Sequence, residues 1–301
     1  MNALIWWNGR VAPFAEATVH VTSETAQRGV NAFEGMRAYW RPDSERLAIV
    51  SMGEHLDRLR MSLKLLRLPA ETLVEPMASA LVELTRALSA REDLYLRPTI
   101  YLDSGSYTSD PARCAFGAFV SARPAPSRCP PVSCHVSRLR RVSSQAFPAQ
   151  AKSGASYAIF RLARVEAAGA GYDESILLNE HGHVAETGGA SIFVVADGAV
   201  ATPRISDGIL ESITRRHALA ILRDRLGVHV AERAIELPEL LAADEVFLTG
   251  TLDEVRLVDR VHGGRSTLRH EVGPVVRDAY LGMCRGQTEP LNGSMFAEVA
   301  L

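Results

Sequence analysis

Ala151-Lys152-Ser153-Gly154-Ala155-Ser156-Tyr157 is the stretch around which this chain is organised, because its lysine is one of only two in 301 residues. Lysine and arginine together number 33, so the other 31 basic residues are arginines. Arginine cannot lose its proton or form a Schiff base with a carbonyl, whereas lysine can do both. The scarcity of lysine therefore points to Lys152 as a reactive amine, and a solvated surface charge stays open as the alternative.

The second lysine, Lys64, has a different setting. It lies in the stretch 53–68, where leucines at helical spacing predict an amphipathic helix, and it falls off the apolar stripe. Lys152 lies instead among small residues, just before another predicted helix. We therefore interpret Lys64 as a surface charge and Lys152 as the candidate amine.

Composition limits the class of protein. At 32.7 kDa, with 47% hydrophobic and 23% charged residues, the chain has the make-up of a globular protein with room for two domains. The net charge of -2 gives no electrostatic reason to expect nucleic acid or an anionic membrane as a partner. The cysteines Cys114, Cys129, Cys134 and Cys284 show no zinc-binding spacing, so no metal site is predicted. We expect an enzyme of the cytoplasm, without a signal peptide or membrane helix.

Hydrophobic patterning predicts an α/β (α+β) protein of two domains. Four prolines within residues 122–131 indicate a stiff connection that continues neither a sheet nor a helix. We therefore expect an N-terminal domain at 1–121, an interdomain linker at 122–131 and a larger domain at 132–301. Strands are predicted at 4–11 (a hairpin around Asn8-Gly9), 17–20, 36–39, 93–101, 115–120, 132–136, 175–178, 183–186, 192–195, 199–202, 229–235 and 245–249. Helices are predicted at 53–68, 75–88, 158–168, 213–226, 237–242 and 272–284.

Seven motifs in a fixed order carry a family resemblance. They are Phe33-Glu34-Gly35-Met36-Arg37-Ala38-Tyr39, Glu54-His55-Leu56-Asp57-Arg58-Leu59, Tyr95-Leu96-Arg97-Pro98, Ala151-Lys152-x-Gly-x-x-Tyr157, Glu186-x-Gly-Gly, Ser212-Ile213-Thr214-Arg215 and Thr249-Gly250-Thr251. With them the chain resembles the fold-type IV (class IV) pyridoxal-phosphate aminotransferases, and most closely the branched-chain amino acid aminotransferases. Ordered agreement over residues 7–263 is much more specific than any single motif.

The resemblance implies a two-domain fold-type IV enzyme, with a small α/β N-terminal domain and a larger C-terminal pseudo-barrel domain that binds pyridoxal 5'-phosphate. It implies a homodimer that moves an amino group between an L-type amino acid and a 2-oxo acid. Lys152 is the expected catalytic residue. The expected cofactor-binding residues are Arg58, Lys152, Tyr157, Glu186, Leu210, Ile213, Thr214 and Thr251. The expected substrate-binding residues are Phe33, Tyr95, Arg97, Arg28, Gly250 and Leu252.

Each role also has a chemical reason. Lys152 supplies the amine for the cofactor's aldehyde, and Glu186 a carboxylate for its ring nitrogen, although a solvated strand-end glutamate would look the same. Ser212 opens a helix whose free N–H groups suit a phosphate. Arg215 and Arg216 in its first turn fit either a bound anion or pairing with acids. The tyrosine and arginine of 95–98 could also be a plain strand pair.

The chain departs from the family pattern mainly at the substrate residues. Gln27-Arg28-Gly29 stands where the family has His-Tyr-Gly, and Leu252 where alanine is common. Arg28 could favour a carboxylate-bearing or polar side chain, or point to solvent. The alternatives kept open are a lyase of the aminodeoxychorismate lyase type, a D-amino-acid or amine transaminase, and a non-catalytic binder of pyridoxal phosphate.

Overall fold

The computed structural model describes residues 4–105, 110–127 and 130–301. Their strands are β1 (Leu4–Trp7), β2 (Arg10–Pro13), β3 (Asn31–Phe33), β4 (Met36–Arg41), β5 (Arg46–Val50), β6 (Leu94–Ser104), β7 (Ala115–Pro124), β8 (Val132–Arg140), β9 (Glu174–Leu178), β10 (Val184–Thr187), β11 (Ser191–Ala196), β12 (Ala199–Thr202), β13 (Val230–Glu232), β14 (Glu245–Gly250), β15 (Glu254–Val261) and β16 (Phe296–Ala300). Their helices are α1 (Glu24–Arg28), α2 (Met52–Leu65), α3 (Met77–Leu88), α4 (Tyr157–Gly169), α5 (Ile213–Ala220), α6 (Leu237–Ala242) and α7 (Val272–Cys284). None of the helices in these ranges has the length and apolar character that crossing a bilayer requires.

The chain divides into two compact units. The first contains the described part of residues 1–126 together with Ala151–Ala155 and Asn292–Leu301, and the second contains the rest. The sequence placed both of those later segments in the C-terminal domain. They group with the first unit because β16 pairs with β5 and because the segment around Lys152 bonds to β3 and α2.

The first unit is an antiparallel sheet in the order β16-β5-β4-β6-β7-β1-β2, with β3 paired to β6. The two-residue turn Asn8-Gly9 joins β1 to β2, and both residues have positive φ, as a type I′ hairpin requires. Leucines of α2 and α3 pack with the inner face of this sheet in one apolar core. The mixed α/β character predicted for this half of the chain is confirmed.

The second unit is a mixed sheet that closes on itself. Its strand order is β10-β9-β8-β15-β14-β11-β12-β13, and β10 also pairs with β11. That extra pairing joins Glu186 to Ser191 and completes a ring of six strands. Strand β8 is parallel to both of its neighbours, β9 and β15, and the other four pairs of the ring are antiparallel. The closed ring matches the predicted pseudo-barrel.

Two sequence-based expectations were wrong because tertiary contacts, and not the local sequence pattern, decide the structure of these segments. Residues 17–20 are β-branched but form no strand; they are mostly exposed, and β propensity needs a partner strand and a packed face. The predicted linker at 122–131 begins inside β7, which continues to Pro124 opposite Leu94. A proline is tolerated there because it lies at the end of the strand. Part of this linker, residues 128 and 129 with Cys129, lies outside the described residues.

Helix ends also shifted. The predicted helix at 53–68 ends at Leu65, where Arg67 takes a positive φ, and the helix predicted at 213–226 is α-helical only to Ala220. A π-helical turn at Ile221–Arg225 follows. Strands β3, β5, β15 and β16 and helix α1 were not predicted, since short segments carry too little periodic signal.

Helix α2 offers a matched test of its packed face. Leu59 is fully buried in the first core, whereas Met61 is about half exposed at 49%. We expect Leu59→Ala to lower the free energy of unfolding by about 2–5 kcal/mol because it leaves a cavity. Met61→Ala should change it by no more than about 0.5 kcal/mol. Chemical denaturation measures both, and equal losses would contradict this packing.

Candidate active site

The main chain of the Lys152 segment makes three hydrogen bonds to two elements of its own unit, α2 and β3. The Lys152 N–H donates to Oγ of Ser62 on α2 at 3.0 Å, and its carbonyl accepts the N–H of Phe33 on β3 at 3.1 Å. Two residues later, the N–H of Gly154 donates to Oδ1 of Asn31 at 2.9 Å. The lysine therefore projects from a fixed backbone.

The amine of Lys152 faces two of the predicted substrate residues. Its Nζ lies 5.3 Å from the centre of the Phe33 ring. The guanidinium carbon of Arg97 lies 3.6 Å from the same ring centre. An aromatic face attracts cations, so Phe33 holds both groups at one place. The structure thus brings together Lys152, Phe33 and Arg97.

Tyr95 precedes Arg97 by two residues on β6 and therefore points to the same side of the strand. Its ring contacts the Arg123 guanidinium at 4.8 Å. A side chain on Gly35 would put its Cβ 2.3 Å from the Tyr95 hydroxyl. Only glycine at position 35 leaves room for the Tyr95 ring in this position.

Arg58, the predicted phosphate ligand, is held by a buried carboxylate. Its Nε and Nη2 donate to the two oxygens of Glu34, both at 2.7 Å, and Nδ1 of His55 lies 2.7 Å from the same carboxylate. Burial by itself would raise the pKa of Glu34, but Arg58 and His55 hold this pKa far below its ordinary value. Burial lowers the pKa of His55 against the attraction of Glu34, so the imidazole is neutral at pH 7.

In the second unit, Glu186 is oriented by two donors. Nε of Arg141 donates to Oε1 at 2.5 Å, and the N–H of Leu210 donates to Oε2 at 3.2 Å. Both Glu186 and Arg141 are buried, so Glu186 is not a solvated strand-end glutamate. The side-chain amide of Gln150 bonds the main chain at Ile209 and at 211, on either side of Leu210. Two predicted cofactor residues, Glu186 and Leu210, are thereby brought together.

The N-terminus of α5 is capped as predicted. Oγ of Ser212 accepts the N–H of Arg215, and the buried residues Ile213 and Thr214 form the first turn. Arg215 is itself fully buried and pairs with Glu232 at 2.8 Å, so of its two readings the pairing with an acid is the one observed. Arg216 is exposed. The turn therefore offers Ile213 and Thr214 amides to an anion, without the Arg215 charge.

The end of β14 and the turn that follows it contain the predicted residues Gly250, Thr251 and Leu252. A Cβ on Gly250 would lie 2.6 Å from the carbonyl oxygen of Gly189, so glycine is needed where these loops meet. Thr251 is half-buried, and Leu252 is exposed at 43%. The position before them, Thr249, pairs across the strands with Ser191.

Two further predicted residues have identified neighbours. Tyr157 begins α4, half-buried, with its ring edge-on to Phe160 at 5.2 Å between centres. Arg28 ends α1 on the surface and pairs with Glu24 at 2.7 Å. The Arg28 charge is thus neutralised within its own helix.

Sequence reasoning missed several residues that hold the predicted ones. They are Glu34, His55, Ser62, Asn31, Arg141 and Gln150. Glu34 and His55 stood inside quoted motifs, and a charge between Phe33 and a glycine in an apolar strand was a usable signal. The others carried none, because their partners lie far away along the chain.

The Glu34–Arg58 pair predicts a specific acid sensitivity. The folded pKa of Glu34 lies below its ordinary value of 4.5, so its stabilising contribution is complete above pH 4.5 and is lost as the pH falls further. Glu34→Gln leaves the Arg58 charge uncompensated and should lower the free energy of unfolding at pH 7 by about 3–5 kcal/mol. It should also flatten the decline below pH 4.5.

Asp57→Asn is the control on the same helix, because Asp57 pairs with Arg60 in an exposed salt bridge. We expect a loss of no more than about 1 kcal/mol from it. Urea unfolding between pH 3.5 and 7 (roughly the span in which carboxylates titrate) measures both variants. A Glu34→Gln protein as stable as the control variant would show that the buried pair is not needed.

Comparison with known proteins identifies the family. Residues 31–261 match the model of the family described as Amino-transferase class IV. A probable branched-chain-amino-acid aminotransferase of Aquifex aeolicus is 33% identical over 296 residues, covering 94% of this chain and 93% of the relative. The branched-chain amino acid aminotransferase of Thermobaculum terrenum, solved in its PLP (holo) form, aligns with a TM-score of 0.92 at 32% identity, covering 100% and 99%. That of Thermoproteus uzoniensis, solved with norvaline, aligns with a TM-score of 0.90 at 33% identity, covering 98% of each chain.

These matches extend over both units and confirm the fold type that the seven motifs predicted. They confirm the reaction class and the cofactor as well, since the family acts through pyridoxal phosphate. The chain therefore belongs to the class IV aminotransferases and is a pyridoxal-phosphate-dependent aminotransferase.

Proposed function

We propose that this enzyme moves the amino group of L-amino acids with aliphatic side chains, branched or linear, to a 2-oxo acid. The names of its relatives and the norvaline bound by one structural neighbour support an apolar substrate. The observation that carries the proposal is the placement of the Lys152 amine and the Arg97 guanidinium on one Phe33 ring. An amine, a carboxylate-binding cation and an apolar surface are what an aliphatic amino acid needs.

Buried polar atoms of the second unit fit a polar ligand such as pyridoxal phosphate. Within the described ranges no hydrogen-bond partner is found for Oγ of Ser191, Oγ1 of Thr249 or Nη1 of Arg141. Ser191 pairs with both Glu186 and Thr249 across the sheet, so the side chains of Glu186, Ser191 and Thr249 share one face. A buried polar atom without a partner costs about 1–3 kcal/mol, which a ligand with polar atoms there would offset.

In this proposal each cofactor-facing residue has a defined role. Bound pyridoxal phosphate supplies an electron sink that stabilises negative charge at the substrate Cα. Lys152 holds the cofactor and then carries the proton at that Cα. Glu186, fixed by Arg141, presents a carboxylate to the ring nitrogen, and Leu210 packs on the ring face.

A second group of residues is proposed to bind the phosphate and the phenolic oxygen of the cofactor. The resemblance assigns the phosphate to Arg58 and Thr251 and to the amides of Ile213 and Thr214. Tyr157 donates to the phenolic oxygen. Glu34 binds Nε and Nη2 of Arg58 and thereby fixes the orientation of the guanidinium.

The resemblance also assigns the residues that recognise the substrate. It assigns the α-carboxylate to Arg97 and Tyr95 and to the turn of Gly250 and Thr251, and it assigns the side-chain pocket to Phe33. Leu252 adds apolar surface at this turn. Arg28 is paired with Glu24, so an acidic side chain would have to displace that partner; this favours the aliphatic substrate. The proposal extends to a homodimer, which the resemblance implies, and to the cytoplasm, which the sequence analysis expects.

A panel of amino donors tests the substrate class. With 2-oxoglutarate as acceptor, we expect leucine, valine, isoleucine and norvaline to have higher kcat/KM than glutamine, lysine or aspartate. Lys152→Ala should lose at least about a thousandfold in kcat, because no other residue replaces its proton transfer. Lys64→Ala, which removes the other lysine, should keep wild-type rates. Pyruvate release without an acceptor, or a preference for D-amino acids, would contradict the proposal.

Glu186→Gln tests the ring-nitrogen assignment. The amide keeps the shape but loses the charge that holds the ring nitrogen protonated, so the variant should bind the cofactor and lose about 100-fold or more in kcat. Cofactor content from absorbance and single-turnover rates measure the two effects separately. Near-normal turnover at full cofactor content would contradict the assignment.

A further inference from the structure

Ser62 is a polar residue in an apolar place. It is fully buried on the face of α2 that also presents the buried residues Leu59 and Leu63. An apolar residue at this position would serve the core, and serine is only a moderate helix former. Its Oγ accepts the N–H of Lys152, 90 positions away along the chain.

The Lys152 peptide is held on both sides. Ser62 binds its N–H, and the N–H of Phe33 binds its carbonyl. Asn31, two residues before Phe33 on β3, binds the Gly154 N–H, and a Cβ on Gly154 would lie only 2.9 Å from the Asn31 amide nitrogen. Together these contacts fix the direction in which the Lys152 side chain leaves the backbone.

We propose that Ser62 and Asn31 are positioning residues for Lys152: they hold its main chain so that the amine stays at reaction distance from the substrate Cα. The proposal rests on the proposed role of Lys152. The lysine side chain has a flexible four-carbon stem, so a loose backbone would spread the amine over many positions.

The spacing of residues along α2 links the position of Lys152 to that of Arg58. His55, Arg58 and Ser62 lie three and four residues apart, so they share one helix face. Arg58 is locked to Glu34, which follows Phe33 directly in the chain. A single helix face therefore sets the Lys152 backbone and the Arg58 guanidinium relative to each other.

Loss of the hydroxyl tests the proposal in the holoenzyme. Ser62→Ala should lower kcat about 10- to 100-fold, because a displacement of about 1 Å at a catalytic group has effects of that size. KM for the amino donor should change less than about threefold, since substrate groups are untouched. The pH profile of kcat and the pH titration of the holoenzyme's visible absorbance should both shift, because each reports the surroundings of the Lys152 amine. Ser62→Thr keeps the hydroxyl and should restore the wild-type profiles.

Asn31 gives an independent pair of variants, in case the proteins substituted at position 62 do not fold. Asn31→Ala removes the acceptor for Gly154 and should lower kcat in the same way, whereas Asn31→Asp retains an acceptor and should stay close to wild type. Thr85→Val is the control for a lost buried hydroxyl: Thr85 is fully buried in α3 and donates to Leu81 of its own helix. It should lower stability without moving either pH profile.

The outcomes separate this proposal from the proposed function. If the wild type is active and Lys152→Ala inactive, but Ser62→Ala and Asn31→Ala keep wild-type kcat and pH profiles, the positioning role is wrong and the function stands. If the two alanine variants only lose stability, as Thr85→Val does, the role is again wrong. If Lys152→Ala transaminates normally, the proposed function itself fails.

Discussion

The hydrogen bonds on both sides of the Lys152 peptide are the constraint on which the rest of the site depends. An amine at the end of four methylenes has a defined position only if the backbone below it is fixed. Here the fixed points are Ser62 on α2 and Phe33 on β3, which are separated from Lys152 by 90 and about 120 residues of chain. The first unit can therefore orient the lysine only after its sheet and α2 have packed together. Packing of the first unit is therefore a precondition for placing the amine.

In each unit, a counter-charge holds one of the predicted cofactor residues. Glu34 holds Arg58, and Arg141 holds Glu186, each pair being largely removed from water. A buried ion pair adds little net stability, since desolvation cancels much of the attraction, but it fixes side chains in one geometry. Fixed charges that need no rearrangement are what an enzyme requires where charge develops during reaction. Arg215 is also buried and paired with an acid, but the side chain of its partner Glu232 is 34% exposed.

The sequence alone predicted the features that depend on local chemistry. The scarcity of lysine singled out Lys152, Asn8-Gly9 predicted its hairpin, and Ser212 predicted a helix cap. The ordered motifs predicted the reaction class. Pairing between strands far apart in the sequence was harder to foresee: the parallel pairing of β15 with β8 and the addition of β16 to β5 have no local signal.

The supporting residues of the site could not be predicted for the same reason. Ser62 looks like any helix serine until Lys152 lies beside it, and nothing in the run Arg138–Arg141 shows which arginine meets Glu186. Conversely, residues 17–20 had the composition of a strand and no neighbour to pair with. Arg215 suggested an anion from its place in the first helical turn, but burial against Glu232 decides its role.

The most direct test is to identify the residue that is covalently bound to the cofactor. Borohydride reduction of the purified holoenzyme, followed by proteolysis and mass spectrometry of the peptides, reports which amine was joined to pyridoxal phosphate. The account predicts the added mass on the peptide that contains Lys152. The same mass on the peptide of Lys64, or on no peptide of a protein that still transaminates, would contradict it.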